Sequence, residues 1–141
     1  MANDLLKRFS FEITSNDFIT AGKSSSYIKS NLKSLGIDSK VIRKIAIVFY
    51  EAEINLVIHS LGGKIYCDLY EDKIIIISKD IGPGIDNVEL AMTEGYSTAT
   101  DKVRELGFGA GMGLPNMKKY SDIFKIISDK NGTLIELTIF I

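Results

Sequence analysis

The chain has 141 residues, of which 25% are charged, and a formal net charge of −1, which is typical of a globular protein with one domain. Its basic residues form no conspicuous cluster along the sequence, which disfavours nucleic acid as the main ligand. No apolar run is long enough to span a bilayer and no secretory signal is visible, so the cytoplasm is the expected compartment. The single cysteine, Cys67, excludes an internal disulfide and is expected in the core.

The first part of the chain is predicted to form a strand and two helices. Polar and apolar residues alternate strictly over Arg8–Thr14, which predicts a strand with one buried face. Asn16 is expected to cap a helix that runs to about Leu35. Asp38 or the serine after it is expected to cap a second, more apolar helix over Val41–Ser60.

Two strands and an irregular segment are predicted next. Lys64–Tyr70 and Lys73–Lys79 indicate a hairpin, and the isoleucine run in the second strand favours the middle of a sheet. Asn87–Met92 is interpreted as a short helix. Thr93–Gly113 is polar and glycine-rich without a period, and loops of this length inside a compact domain are usually functional.

The last part of the chain predicts a short helix and a second hairpin. Pro115 suits the first turn of a helix that reaches about Tyr120. Ile123–Ser128 and Thr133–Ile141 then flank a predicted Asn131-Gly132 turn. Because the strands come in hairpins, the sequence predicts an α/β (α+β) fold, a two-layer sandwich with a mixed, largely antiparallel sheet and helices on one face.

The second helix carries a polar stripe formed by Glu51, Asn55 and His59. A spacing of four residues places the three side chains on one face of an otherwise apolar helix. A carboxylate next to an amide suits a hydrated Mg²⁺ and its phosphates, whereas the plain alternative is a face turned to solvent. Glu53 lies about 200° away on the helical wheel and is expected on a different surface.

A second polar feature follows the isoleucine strand at Asp80-Ile-Gly82-Pro-Gly84. A carboxylate at a strand end is a natural acceptor for an exocyclic amine such as that of adenine, and the glycines let a flat ligand approach the backbone. A plain turn is the alternative.

The third feature is the run of four alternating glycines at positions 107, 109, 111 and 113, followed by Leu114-Pro115. Such a run frees backbone N–H groups to converge, and it ends at a helix N-terminus that favours phosphate. The run matches neither the Walker pattern nor a Rossmann fingerprint, because it lacks the lysine of the first and the βαβ unit of the second. A flexible hinge is the alternative to an anion cradle.

The ordered set of motifs resembles the GHKL (Bergerat-fold) ATPases. Glu51-Ala-Glu-Ile-Asn55 is similar to their N box, Asp80-Ile-Gly82-Pro-Gly84 to the first glycine box, and Gly109-Ala-Gly111-Met-Gly113-Leu to the second. The length, with the stretch from Gly95-Tyr-Ser-Thr to Pro115, resembles the stand-alone serine/threonine kinases of anti-sigma partner switches. One histidine-kinase-like ATPase domain over residues 1–141 is therefore expected.

The resemblance also implies roles for individual residues and the cofactors ATP and Mg²⁺. Glu51 would be the general base, Asn55 would coordinate Mg²⁺, Asp80 would bind the adenine amino group and Thr133 would support the adenine. The glycine run and the residue after it would form a lid over the phosphates. The nucleotide-binding glycines are Gly82, Gly84, Gly107, Gly109, Gly111 and Gly113, and Leu114 is grouped with them.

This chain departs from the switch kinases by an insert of about half a dozen residues, roughly Ala99–Leu106. The insert carries Lys102 and Arg104, which either contact the terminal phosphate or are solvated lid charges. The lid is expected to become ordered when nucleotide binds.

The resemblance implies a kinase that phosphorylates a STAS-domain partner or another protein of a sigma-factor pathway. The implied function involves neither nucleic acid nor a membrane, and it is compatible with a homodimer. One alternative is a nucleotide-gated binding module without phosphate transfer. A detached histidine-kinase catalytic domain is a weaker alternative, because the chain offers no dimerisation helix with a phospho-acceptor histidine.

Overall fold

The computed structural model describes residues 4–82, 92 and 113–141. Within these residues the chain forms five strands and three helices. The strands are β1 (Lys7–Ile13), β2 (Gly63–Leu69), β3 (Lys73–Asp80), β4 (Ile123–Asp129) and β5 (Gly132–Phe140). The helices are α1 (Lys23–Ser34), α2 (Ser39–His59) and α3 (Gly113–Tyr120).

The five strands form one antiparallel sheet in the order β1-β2-β3-β5-β4. The isoleucine strand β3 occupies the centre, as predicted, with Ile74 and Ile76 fully buried. Cys67 pairs with Ile76 and is also fully buried, so its pKa rises to about 12 because the thiolate would be desolvated. The expected core position of Cys67 is therefore confirmed.

The three helices cover the inner face of the sheet, which confirms the two-layer sandwich. The long helix α2 lies between the other two and contacts both, and nine of its described residues are buried and six are half-buried. The Phe11 ring meets Tyr27 of α1 and Phe49 of α2 edge to face, at centroid distances of 5.8 and 5.4 Å. These contacts place α1 over the β1 edge, while α3 packs on α2 and contacts β4.

The predicted start of the first helix is wrong. Asn16 does not cap it; this residue adopts a left-handed φ of 61°, and residues 14–22 form turns before α1 begins at Lys23. The side chain of Asp17 accepts hydrogen bonds from the backbone and hydroxyl of Thr20, which stabilises a local turn instead of a helix. The start of α1 is bound by a residue from α2, which no local pattern reveals.

The second hairpin differs from the prediction by one residue. Its turn consists of Lys130-Asn131, and Gly132 already pairs with Asp129 as the first residue of β5. A side chain at position 132 would lie 2.6 Å from the backbone oxygen of Asp80 and 2.7 Å from its Oδ1. Glycine is therefore required here both by the close approach of β3 and by the positive φ of 149° at this position.

The remaining element boundaries agree with the predictions to within about two residues. The expected short helix at Asn87–Met92 and most of the glycine-rich segment lie outside the described residues. Among the helices that the structure describes, none is both long and apolar enough to cross a membrane.

Candidate functional site

Glu51 lies between α2 and the start of α3. Its carboxylate accepts a hydrogen bond from Asn116 Nδ2 at 3.2 Å, and a methyl group added at Gly113 would lie 3.4 Å from its Oε2. The side chain is half-buried, so the polar stripe of α2 faces another helix at this position and not open solvent. The start of a helix favours a negative charge, and it is also the predicted position of the phosphates.

Asn55 is also half-buried and lies one helical turn after Glu51. Its amide oxygen is a hard ligand of the kind that Mg²⁺ accepts alongside water and phosphate. Asn55 therefore fits a Mg²⁺ ion whose other ligands come from water and a nucleotide, while Glu51 on the same face is not needed as a ligand.

Asp80 and Thr133 meet at the ends of two neighbouring strands. Thr133 N donates to Asp80 Oδ1 at 2.6 Å, and the hydroxyl of Thr133 is 2.9 Å from that of Ser128. Burial raises the pKa of the Asp80 carboxyl above its ordinary value, although the hydrogen bonds from Thr133 act in the opposite direction. The structure thus brings together the two residues that the sequence assigns to the adenine.

Gly82 fixes the chain just beyond Asp80. Its N–H donates to Asn131 O at 2.9 Å, and a side chain at position 82 would lie 3.2 Å from the same oxygen. The segment after β3 therefore packs directly on the β4–β5 turn. This packing holds the Asp80 carboxylate at the end of the central strand β3.

The end of α2 and the end of β3 lie side by side. Ile81 N donates to Gly62 O at 3.0 Å, and Gly62 follows the end of α2 by three residues. The C-terminal end of the helix that carries Glu51 and Asn55 therefore lies beside the end of β3 that carries Asp80. This arrangement is compatible with one ligand that spans both groups.

Glu53 has a different role from the two polar residues beside it. It lies on another face of α2, as predicted, but it is not at the surface: only 2% of the residue is exposed. Its Oε2 accepts from Gly22 N at 2.9 Å and its Oε1 from Ser25 N at 3.2 Å, so it binds the first N–H groups of α1. Burial raises the pKa of the Glu53 carboxyl, against the effect of these backbone hydrogen bonds.

The sequence alone did not reveal the roles of two residues, Asn116 and Glu53. The contact of Asn116 with Glu51 depends on the packing of α3 against α2, and the carboxylate of Glu53 becomes a helix cap only in the folded chain. A signal for Glu53 existed, since a charged residue among apolar neighbours on a buried helix requires a partner. Nothing in the sequence around Asn116 distinguishes it from a surface residue.

The remaining residues that the resemblance assigns to nucleotide binding fall into two groups. Leu114 lies in the hydrophobic core with 6% exposure and anchors the start of α3. Gly84, Gly107, Gly109, Gly111, Lys102 and Arg104 lie outside the described residues.

Curated proteins with similar sequences are two anti-sigma F factors and a serine/threonine-protein kinase. The chain is 38% identical over 92 residues to an anti-sigma F factor of Clostridium novyi and 34% identical over 92 residues to that of Clostridium beijerinckii. Each match covers 60% of this chain and 61% of the relative, so the chain spans less than two thirds of these proteins. The serine/threonine-protein kinase RsbT of Bacillus subtilis is 29% identical over 100 residues, which cover 68% of this chain and 69% of RsbT.

The fold also has a counterpart among solved structures. A chain in the crystal structure of the SiaB–SiaC complex from Pseudomonas aeruginosa superposes with a TM-score of 0.58. The superposition covers 97% of this chain and 89% of the other, at 11% sequence identity, so it supports the fold alone. No family model matches the sequence. The names of the relatives confirm the resemblance to anti-sigma factors and serine/threonine kinases that the motifs indicated.

Proposed function

We propose that this chain, a relative of the anti-sigma F factors and of RsbT, binds Mg-ATP and transfers the terminal phosphate to a serine or threonine of a protein partner. The observation that carries the proposal is the position of Glu51. Its carboxylate lies against the start of α3, on the helix face that also presents Asn55. A base, a metal ligand and a helix start at one place are the parts that phosphate transfer requires.

Each group has a defined task in this proposal. Asp80 accepts a hydrogen bond from the adenine amino group, while Thr133 holds the Asp80 carboxylate in place from the neighbouring strand. Asn55 supplies one oxygen to Mg²⁺, which neutralises charge on the phosphates when it is bound. Glu51 accepts the proton of the attacking hydroxyl, and Asn116 fixes the orientation of the carboxylate.

The partner is proposed to be a STAS-domain protein or another protein of a sigma-factor pathway. The names of two relatives support this class, because one is an anti-sigma F factor and the other a serine/threonine-protein kinase. Within this class, the acceptor is expected to present a hydroxyl to the face of α2 that carries Glu51.

The test is the transfer of radiolabelled phosphate from ATP to a purified STAS-domain protein encoded in the same genome. Asn55→Ala is expected to lower both ATP affinity in the presence of Mg²⁺ and the transfer rate, because a metal ligand is lost. Asn31→Ala, which removes an amide from α1, is the matched control and should change neither.

Two results would count against the proposal. If Asn55→Ala binds and transfers like the wild type, Asn55 is not a metal ligand. If the wild type binds ATP but transfers no phosphate to any partner with which it forms a complex, the kinase is replaced by a nucleotide-gated binding module.

A further inference from the structure

The helical layer carries an uneven distribution of charge. Between Lys23 and Tyr50, along α1 and the first half of α2, the sequence has six basic residues and one acidic residue, Asp38. The other parts of the chain then hold eleven basic and seventeen acidic residues. The basic residues are spaced along two helices, so they form no run in the sequence and come together only when the helices pack against each other.

An open groove of about 650 Å³ lies between these two helices. Lys23, Ser26 and Lys29 of α1 form one wall, and Ala46, Ile47 and Tyr50 of α2 form the other. The two lysines are exposed, and Arg43 lies one turn before Ile47 along α2 and is exposed too. The groove therefore combines basic rims with an apolar wall.

No carboxylate neutralises the groove among the residues that line it. Beneath the groove, Glu53 is 2% exposed, and its two oxygens accept hydrogen bonds from the N–H groups of Gly22 and Ser25, so this carboxylate acts within the fold. The pKa of Asp17 is lowered by its hydrogen bonds with Thr20 and, less strongly, by the charge of Lys23, so Asp17 is an acidic group near one rim lysine. Lys23 and Lys29 are both exposed and remain accessible to a ligand of opposite charge.

We infer that this groove between α1 and α2 is a docking surface for an acidic segment of a protein partner. The acidic side chains of that segment pair with Lys23 and Lys29, and an apolar side chain of the same segment packs between Ile47 and Tyr50. Basic rims steer an acidic segment to the groove, and the apolar wall retains it once it is bound.

A protein segment fits this groove better than a nucleic acid does. Nucleic acid backbones are bound by positive charges that follow an extended phosphate track, and the bases require readout groups or stacking platforms. Here an alanine and an isoleucine form much of one wall, and they offer an apolar side chain a place to pack.

The groove is separate from the candidate nucleotide site. Tyr50 faces the groove on the α1 side of α2, whereas Glu51 faces α3 on the other side. Docking here requires no nucleotide and no phosphate transfer, so the inference does not depend on the proposed kinase activity.

The experiment uses the full chain and a short fluorescent peptide that repeats Glu-Glu-Leu. Binding is followed by fluorescence anisotropy, and the position of the peptide by changes in amide NMR shifts. The wild type is expected to bind the peptide, with shifts concentrated at the groove. Affinity should fall as salt rises, because exposed charges are screened over about 8 Å at physiological ionic strength.

The double variant Lys23→Glu/Lys29→Glu should bind the peptide at least about tenfold more weakly, since both rim charges are reversed. A glutamate in the first turn of α1 is favourable to the helix, so this variant is expected to fold. Lys125→Glu/Lys130→Glu makes the same change of net charge at exposed positions on and beside β4, and it should bind like the wild type.

Four outcomes would overturn the inference. The first two are the absence of peptide binding by the wild type and an equal loss of affinity in both double variants. The third is tighter binding of a single-stranded DNA of similar length than of the peptide. The fourth is similar affinity for a control peptide that repeats Lys-Lys-Leu, because the rim charges would then not select between acidic and basic peptides.

Discussion

Asp80 combines a structural contact with a predicted ligand contact. Its Oδ1 accepts from Thr133 N, and its carboxylate is predicted to accept from the adenine amino group. In Asp80→Asn the side-chain oxygen can still accept from Thr133 N. The NH₂ group of the asparagine then faces the adenine amino group, and two donors cannot form a hydrogen bond. ATP affinity is expected to fall by about 1.5–3 kcal/mol, which is roughly ten- to a hundredfold in Kd.

Isothermal titration calorimetry measures this change directly. Asp72→Asn is the matched control, because Asp72 is exposed in the β2–β3 turn and should leave affinity as it is. Unchanged affinity in Asp80→Asn would remove Asp80 from the nucleotide site.

Asn116 is a positioning residue for Glu51. Asn116→Ala removes the 3.2 Å hydrogen bond to Glu51 Oε1 and frees the carboxylate to rotate, so the transfer rate should fall roughly tenfold while ATP affinity stays nearly constant. Asn116→Asp keeps the size of the side chain but replaces the donor with an acceptor, so the transfer rate should fall at least as much as in Asn116→Ala.

A purely structural role for Asn116 would lower the free energy of unfolding together with the rate. Urea unfolding of both variants, measured beside their transfer rates, thus distinguishes positioning from packing. If the transfer rate does not respond in either variant, the contact between Asn116 and Glu51 has no part in transfer.

At the scale of the element, α1 depends on a carboxylate from α2. In Glu53→Gln one oxygen is replaced by an NH₂ group, which cannot accept from Gly22 N or Ser25 N. A buried N–H then loses its partner, and the free energy of unfolding is expected to fall by about 1–3 kcal/mol. Urea unfolding measures the difference, with Glu71→Gln in an exposed turn as the control.

This difference should depend on pH in a definite direction. The pKa of Glu53 in the folded chain is raised above its ordinary value of 4.5, so the folded state holds the proton more tightly than the unfolded state. The contribution of Glu53 is therefore largest below about pH 4.5, and it decreases as the pH rises through the folded pKa. A stability difference between wild type and Glu53→Gln that grows with pH would contradict the raised pKa.

Elements with a strong local period could be predicted from the sequence. The alternation in β1, the isoleucine run in β3 and the apolar character of α2 each determine their own structure. The start of α1 could not be predicted, since its first N–H groups are bound by Glu53, twenty-eight residues after Ser25. Gly132 was similarly predicted to lie in the turn, because its close approach to Asp80 of a distant strand leaves no local signal in the sequence.

At the scale of the whole molecule, α2 separates two surfaces with different chemistry. Toward α3 it presents Glu51, which meets Asn116, and toward α1 it presents Tyr50 and the buried Glu53. The sequence identified the polar stripe and the residues at the strand ends because their types and order are distinctive. It did not identify the groove, because the lysines of α1 and the apolar side chains of α2 become neighbours only through packing.

The most direct test of the proposed kinase is the rate of phosphate transfer by Glu51→Gln at saturating Mg-ATP. The variant keeps a side chain of the same size and an oxygen that can accept from Asn116, so ATP should bind as in the wild type. The loss of the base should lower the transfer rate by about 10²–10⁴-fold. Transfer at the wild-type rate would contradict a catalytic role for Glu51.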